Sequence, residues 1–233
     1  PGPEHATAHG RDHIARSYVF ASVFCGLLEE QAVKLDRNAV LLGVGGHKLG
    51  QWELGESKWA DDSGKLLVKA LRAKFGDDSM GQDYENALKG CLTKGGRSLE
   101  AMLIDQAGKL DSGRMENFEL GQFDFMKEGS GYAPIMQMRE QLLKEADLLQ
   151  RRTDPYSMLR SSLSNLDRKL NEATDPEIKK ELTFQKKEIM LKMAGLYRER
   201  RTETGEEVMG RIETAIRNYP QDFKLLTKYY LPK

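Results

Sequence analysis

Residues 11–30, RDHIARSYVFASVFCGLLEE, constrain the fold of this chain more than any other stretch. The spacing predicts one long helix over about residues 8–34. At 100° per residue, His9, His13 and Arg16 share a sector of about 60°, and Phe20, Phe24 and Leu27 continue it. A second sector, Ile14, Tyr18, Ala21, Cys25 and Leu28, is also apolar. A helix apolar on two faces must be covered on both, so other elements have to pack around it. Three of the chain's four histidines fall in its first thirteen residues. His9, His13 and Arg16 would therefore lie at the deep end of an inward-facing stripe, where a cleft floor would be.

Elsewhere period-2 alternation is rare and short while helical signals are many, so the expected fold class is all-α. A short apolar helix is expected at about 36–44, stopping at Gly45-Gly46, within reach of a glycine-rich loop, GVGGHKLGQWELGES, at 43–57. Ser57 reads as the N-cap of a helix from Lys58 to about Phe75, ended by Gly76. Further helices are expected at about 83–92 and 98–109. Beyond EGSGYAP at 128–134 come long, charged, amphipathic helices at about 134–152, 155–172, 176–202 and 204–218. Two starts carry one signal, Thr153-Asp154-Pro155 and Thr174-Asp175-Pro176, an aspartate cap followed by proline at the first helical position. Their short joints imply antiparallel neighbours. The expected organisation is a helical core at 1–130 with an appended lobe of long antiparallel helices, 131–233, packed on or beside it.

Lys plus Arg equals Asp plus Glu at 36 each, a formal net charge of zero. Without a bulk positive charge, no nucleic-acid partner is expected. The longest apolar run, AVLLGVGG at 39–46, is far too short to span a bilayer. The first residues lack the basic-then-apolar pattern of a secretory leader. Cys25 and Cys91 sit in helical contexts and read as buried small hydrophobes, not as a disulfide or zinc pair. The chain is expected to be a monomer without a cofactor.

Three groups carry chemistry. In the first, His9 and His13 have the side chain of a nucleophile or general base. The helix N-terminus offers free N–H donors to a phosphate, and Arg16 offers a two-pronged grip on its oxygens. The plain alternative is an exposed N-terminal turn with incidental histidines. In the second, His47 stands among glycines with Glu53 and Glu56, where a ligand can approach the backbone closely; the alternative is a surface loop. The third is Asp105, Asp111 and Arg114 in LIDQAGKLDSGR. Asp105 follows an apolar helical segment and is placed to face the same cleft, whereas Asp111 reads as a solvated helix end. The methionines of IMQMREQLL, 135–143, read as packing. There is no serine or cysteine nucleophile motif, no zinc spacing, and no GK[ST] ending to make LLGVGGHKLG a phosphate loop.

At these residues HGRDHIAR resembles the HGxxHxxR signature that opens the phosphodiesterase domain of SidE-type bacterial effectors, a relative of the HD phosphohydrolases. HKLGQWELGESKWADDSGKLL resembles that family's second block, HDSxRxxEGxDxWDxxSxxLL, with Gly55, Trp59 and Ser63 matching and His47 on the histidine of the HD pair. LIDQAGKLDSGRMENFELGQFDF resembles the third, HDADxLDxxR followed by an aromatic-rich stretch. The resemblance covers most of the chain in the right order and implies an HD-like helical core with a helical lobe. It also implies a bacterial effector delivered into host cytoplasm and ADP-ribosylated ubiquitin as substrate. That substrate would be cleaved at the pyrophosphate, with AMP leaving and phosphoribosyl-ubiquitin passing to a serine or to water. Carried over, His9 is the nucleophile, His13 its supporting base, Arg16 a phosphate grip and Glu56 the cleft carboxylate. His47, Glu53 and Arg114 would line the substrate.

Three departures bear on activity. Lys48 replaces the aspartate of the HD pair, and Asp105 and Gln106 stand where the family has histidine and aspartate. The second catalytic histidine, which protonates the leaving group, has no counterpart. Asp105 replaces it only if burial keeps its carboxyl protonated, which takes a pKa raised by roughly 3 units. His13, His47 and Asp105 are acceptable metal ligands, but Lys48 puts a cation where an HD ligand should be, so no metal is expected. Three readings follow: a phosphodiesterase with an altered acid, a silent HD-like module that still binds a nucleotide or ubiquitin-derived ligand, and a helical interaction scaffold.

Overall fold

A computed structural model describes residues 10–50, 59–92, 98–112, 133–200 and 202–232. Among the described residues there are ten α-helices and no strand. In chain order these are α1 (Arg11–Glu30), α2 (Arg37–Gly46), α3 (Trp59–Phe75), α4 (Gln82–Leu92) and α5 (Leu99–Ser112). The second half holds α6 (Ala133–Thr153), α7 (Pro155–Glu172), α8 (Pro176–Arg200), α9 (Gly205–Asn218) and α10 (Lys224–Tyr230). The all-α expectation is met.

Local chemistry sets many of the boundaries. Asp36 accepts the Ala39 N–H at 2.9 Å and caps α2, Ser98 does the same for Ala101 at 3.1 Å ahead of α5, and Asp175 accepts the Glu177 N–H at 2.8 Å at the start of α8. Thr204 and Glu207 form a reciprocal capping box on α9. Gly76, with φ of 98°, ends α3 in a backbone region that side chains other than glycine disfavour. The pair Gly45-Gly46 does not stop α2, which runs through Gly46. Gly43 and Gly46 answer to packing, while Gly45 faces open space. A Cβ on Gly43 would lie 2.3 Å from Ile104 Cδ1 of α5, and one on Gly46 would lie 2.7 Å from Leu67 Cδ2 of α3.

Helix α1 is the axis of the molecule. Val19, Phe20, Ala21, Val23, Phe24 and Cys25 are all at most 1 % exposed, which is burial on every side. Helices α2 and α5 pack on it from the first half of the chain, and α6, α9 and α10 pack on it from the second. The α3–α4 pair covers α2. Leu103, Ile104 and Leu110 belong to one continuous core with Leu142, Leu149, Ile212, Ile216, Phe223 and Leu226. The division expected near 130 therefore does not separate two cores. What stands apart is narrower: α7 and α8 form an antiparallel hairpin packed chiefly on itself and joined to the body through α6.

Candidate functional site

The first two turns of α1, the end of α2, the last turns of α5 and the α6–α7 joint converge on a buried polar cluster. His13 and Arg16 are three residues apart on α1, so they share a face, and each is only 1 % exposed. Asp111, on the last turn of α5, takes both. Its Oδ2 accepts the His13 Nδ1–H at 2.7 Å, and its Oδ1 accepts the Arg16 Nε–H at 2.5 Å. Arg16 Nη1 also lies 3.9 Å from Asp154 Oδ2, which accepts the Gln150 Nε2–H at 2.7 Å. Burial on its own would lower the Arg16 pKa, but Asp111, helped by Asp154 and Asp12, more than offsets this and raises it. The guanidinium is a permanent charge held by carboxylates.

His47 closes the cluster. Its ring lies directly after α2 and is 8 % exposed. Its Nδ1–H donates to the Val44 carbonyl at 2.6 Å, and its Nε2 lies 3.3 Å from His13 Nε2. The two rings are 5.3 Å apart between centroids and tilted by 56°. Ser63 of α3 fixes the turn beneath them, donating to the His47 carbonyl at 3.2 Å and accepting the Gly50 N–H at 3.0 Å. Gly108 of α5 provides the room: a Cβ there would come within 3.6 Å of His47 Nε2 and 4.0 Å of His13 Cε1. Lys48, 9 % exposed, is pushed down to about 8 by burial, which Asp105 only partly counters.

Of the residues singled out from the sequence, His13, Arg16 and His47 come together. His9, Glu53, Glu56 and Arg114 lie outside the described residues. Asp105 does not join the buried group. Its side chain is 56 % exposed and pairs with Lys109 at 2.7 Å, one turn along the same helix, so the burial its acid role required is missing. The roles of the two aspartates are the reverse of those expected, since Asp111, read as a solvated end, is 2 % exposed at the centre of the network. Arg16 does not stand as a free phosphate grip, because its guanidinium is engaged by Asp111 and Asp154. Asp154, expected only as a helix start, is 2 % exposed and belongs to the same cluster.

A periodic signal for Asp111 was present. Leu103, Ile104, Ala107, Leu110 and Asp111 follow the helical spacing of one buried stripe, while Asp105 and Lys109 fall off it. Asp154 had no such signal, because its partner lies 138 positions away on α1.

The facing Nε2 atoms could supply two nitrogen ligands to a metal. Among the described residues, however, no group of three or more His, Cys, Asp or Glu side chains is arranged to hold one. What the arrangement offers is proton handling: a carboxylate, two imidazoles in line and a glycine gap beside them. No protein-family model, curated protein or solved structure matches the chain.

Proposed function

We propose that the chain is a phosphodiesterase with an HD-like helical core, in which the His13–His47 pair moves protons while a histidine attacks phosphorus. The observation that carries this reading is the buried line Asp111–His13–His47, in which a carboxylate orients one imidazole toward a second, 3.3 Å away. A histidine held by a carboxylate is a competent general acid or base near neutral pH. The nucleophile is His9, four residues before His13 in HGRDHIAR, and the substrate is ADP-ribosylated ubiquitin, cleaved at the pyrophosphate with release of AMP.

The test is AMP release from ADP-ribosylated ubiquitin by the purified chain. His9→Ala should abolish it, and His13→Asn or His47→Asn should slow it by about 10²–10⁴-fold, the usual worth of general acid–base help. If the wild type binds this substrate without releasing AMP, the silent binding module replaces the enzyme. One observation favours that second reading: the exposed, ion-paired Asp105 leaves the family's acid position unfilled. If the chain neither cleaves nor binds, both readings fall and the helical scaffold remains.

A further inference from the structure

Helix α8 carries a seven-residue repeat, KKELTFQ at 179–185 and KKEIMLK at 186–192. Such a repeat draws apolar stripes along a helix. Leu182, Ile189 and Leu196 form one stripe. They are half-buried on the side of α7, where Lys186 Nζ donates to Asp167 Oδ1 at 2.6 Å. Phe184 and Leu191 form another. Each follows a residue of the first stripe by two positions, about 200° round the helix, so this stripe faces away from α7. The two side chains are 59 % and 74 % exposed.

Charges of opposite sign flank the outer stripe. Lys180 and Lys187 stand four positions before Phe184 and Leu191, about 40° to one side. Glu181 and Glu188 stand three positions before them, about 60° to the other side. All four are exposed. Lys180 lies 3.9 Å from Glu177 of its own helix, an exposed pair that water screens.

A surface that fits this face carries an apolar stripe, with acid opposite the lysines and base opposite the glutamates. Helix α8 itself meets that description. Two copies set parallel and in register, about a two-fold axis along the helices, bring each glutamate flank against the other copy's lysine flank. Glu181 then lies across from the second Lys180, and Glu188 across from the second Lys187, about 1.5 Å apart in height. Phe184 meets Phe184, and Leu191 meets Leu191. Set antiparallel, the same helices put glutamates against glutamates and lysines against lysines, which is repulsive.

We propose that the outer face of α8 is a self-docking surface, on which a second copy of the chain packs its own α8 parallel and in register. Two apolar side chains per copy make an interface below the standard size, so the pairing is weak and belongs to concentrated protein. The fold of each copy does not depend on it, because α7 holds the opposite stripe. In dilute solution the chain is a monomer.

Sedimentation velocity of the whole chain, from about 5 to 500 µM, tests the pairing in the concentration range of a weak interface. The wild type should pass from monomer to dimer. Phe184→Asp with Leu191→Asp should stay monomeric, with an unchanged circular dichroism spectrum and unchanged Tm in dilute solution. Glu181→Lys with Glu188→Lys leaves lysine on both flanks and should weaken association at least about tenfold at low salt. Adding Lys180→Glu and Lys187→Glu to that variant swaps the flanks and should restore association, a rescue that a purely structural role would not produce. Orientation is read by disulfide formation under oxidised glutathione, since the native Cys25 and Cys91 are buried. In a mixture of Phe184→Cys and Leu191→Cys chains, like positions should join. Bonds mainly between 184 and 191 would overturn the parallel order. A dimer unaffected by the aspartate variants would place the interface elsewhere and overturn the proposal. So would a wild type that is monomeric throughout the range. If that monomer bound vesicles of equal parts phosphatidylserine and phosphatidylcholine and the aspartate variant did not, the face would belong to an anionic lipid surface instead.

Discussion

Asp111 ties two side chains of one helix to another helix, and removing it strands both. Asp111→Ala would leave Arg16 as a buried cation without its hydrogen-bonded partner, facing Asp154 at 3.9 Å and the charge of Asp12. Breaking a buried pair from one side costs about 3–5 kcal/mol, or a fall in Tm of roughly 6–20 °C for a chain of this size. Asp105→Ala, which removes an exposed i,i+4 partner of Lys109, should stay within about 0.5 kcal/mol. Urea unfolding of the two variants side by side checks the contrast, and equal losses would mean that the cluster does not carry the load assigned to it. Both aspartates stood in one short stretch of sequence, and only their place on the helical stripe told them apart. Lys48 is different, because burial outweighs the attraction of Asp105. Its pKa is lowered from 10.5 to about 8, so between those values the unfolded chain binds the proton that the folded chain has lost. Stability from this group therefore rises with pH across that window, by about 3 kcal/mol in full. The wild type should gain stability between pH 8 and 10.5 relative to Lys48→Met. Urea midpoints at pH 7.5 and 10 that move in parallel for the two proteins would contradict it.

At the scale of elements, helices that announce themselves by local chemistry were legible. Proline at the first position and aspartate before it placed the starts of α7 and α8 correctly, and the apolar periodicity of α1 foretold burial on two faces. Elements whose reason is tertiary were not. Helix α10 is only seven residues long, too short to show a period, and it is held by a carboxylate from another helix: Glu145 of α6 accepts the N–H groups of Leu225 at 2.8 Å and Leu226 at 2.9 Å. Gly46, read with Gly45 as a stop, serves close approach to Leu67, which no local pattern reveals. Glu145→Ala leaves those donors buried without their acceptor and should cost about 1–3 kcal/mol, with the loss of protection in hydrogen exchange concentrated in α10. Uniform loss of protection would argue against a local cap. Apolar residues on the outer side of the arm carry no such weight. Phe184 and Leu191 of α8 are 59 % and 74 % exposed, so Phe184→Ser and Leu191→Ser should leave Tm within a degree or two.

For the molecule as a whole, the order of the chain is a poor guide to its cores. The composition change near 130 is real in sequence, since charged helices do follow it, yet α1 needs elements from both sides of that point. Gly26 of α1 is so close to α10 that a Cβ would sit 2.6 Å from Tyr229 Cδ1, and the Tyr229 hydroxyl donates to Glu30 at 2.6 Å. On the other flank, Phe223 and Ile216 are fully buried in the same cluster as Phe24 and Val40. A fragment ending at residue 130 would expose one side of a helix built to be covered all round, and it would lose Asp154 from the Arg16 cluster as well. It is expected to be partly helical by circular dichroism but to lack a cooperative thermal transition, with poorly dispersed amide resonances and strong binding of an apolar dye. Deleting only the arm, residues 155–200, with a short linker in its place, should instead keep a cooperative transition, because α7 and α8 pack chiefly on each other. The pair of deletions separates two architectures. If the first fragment folds cooperatively and the second does not, the chain is two domains divided near 130; the packing of α1 requires the opposite result.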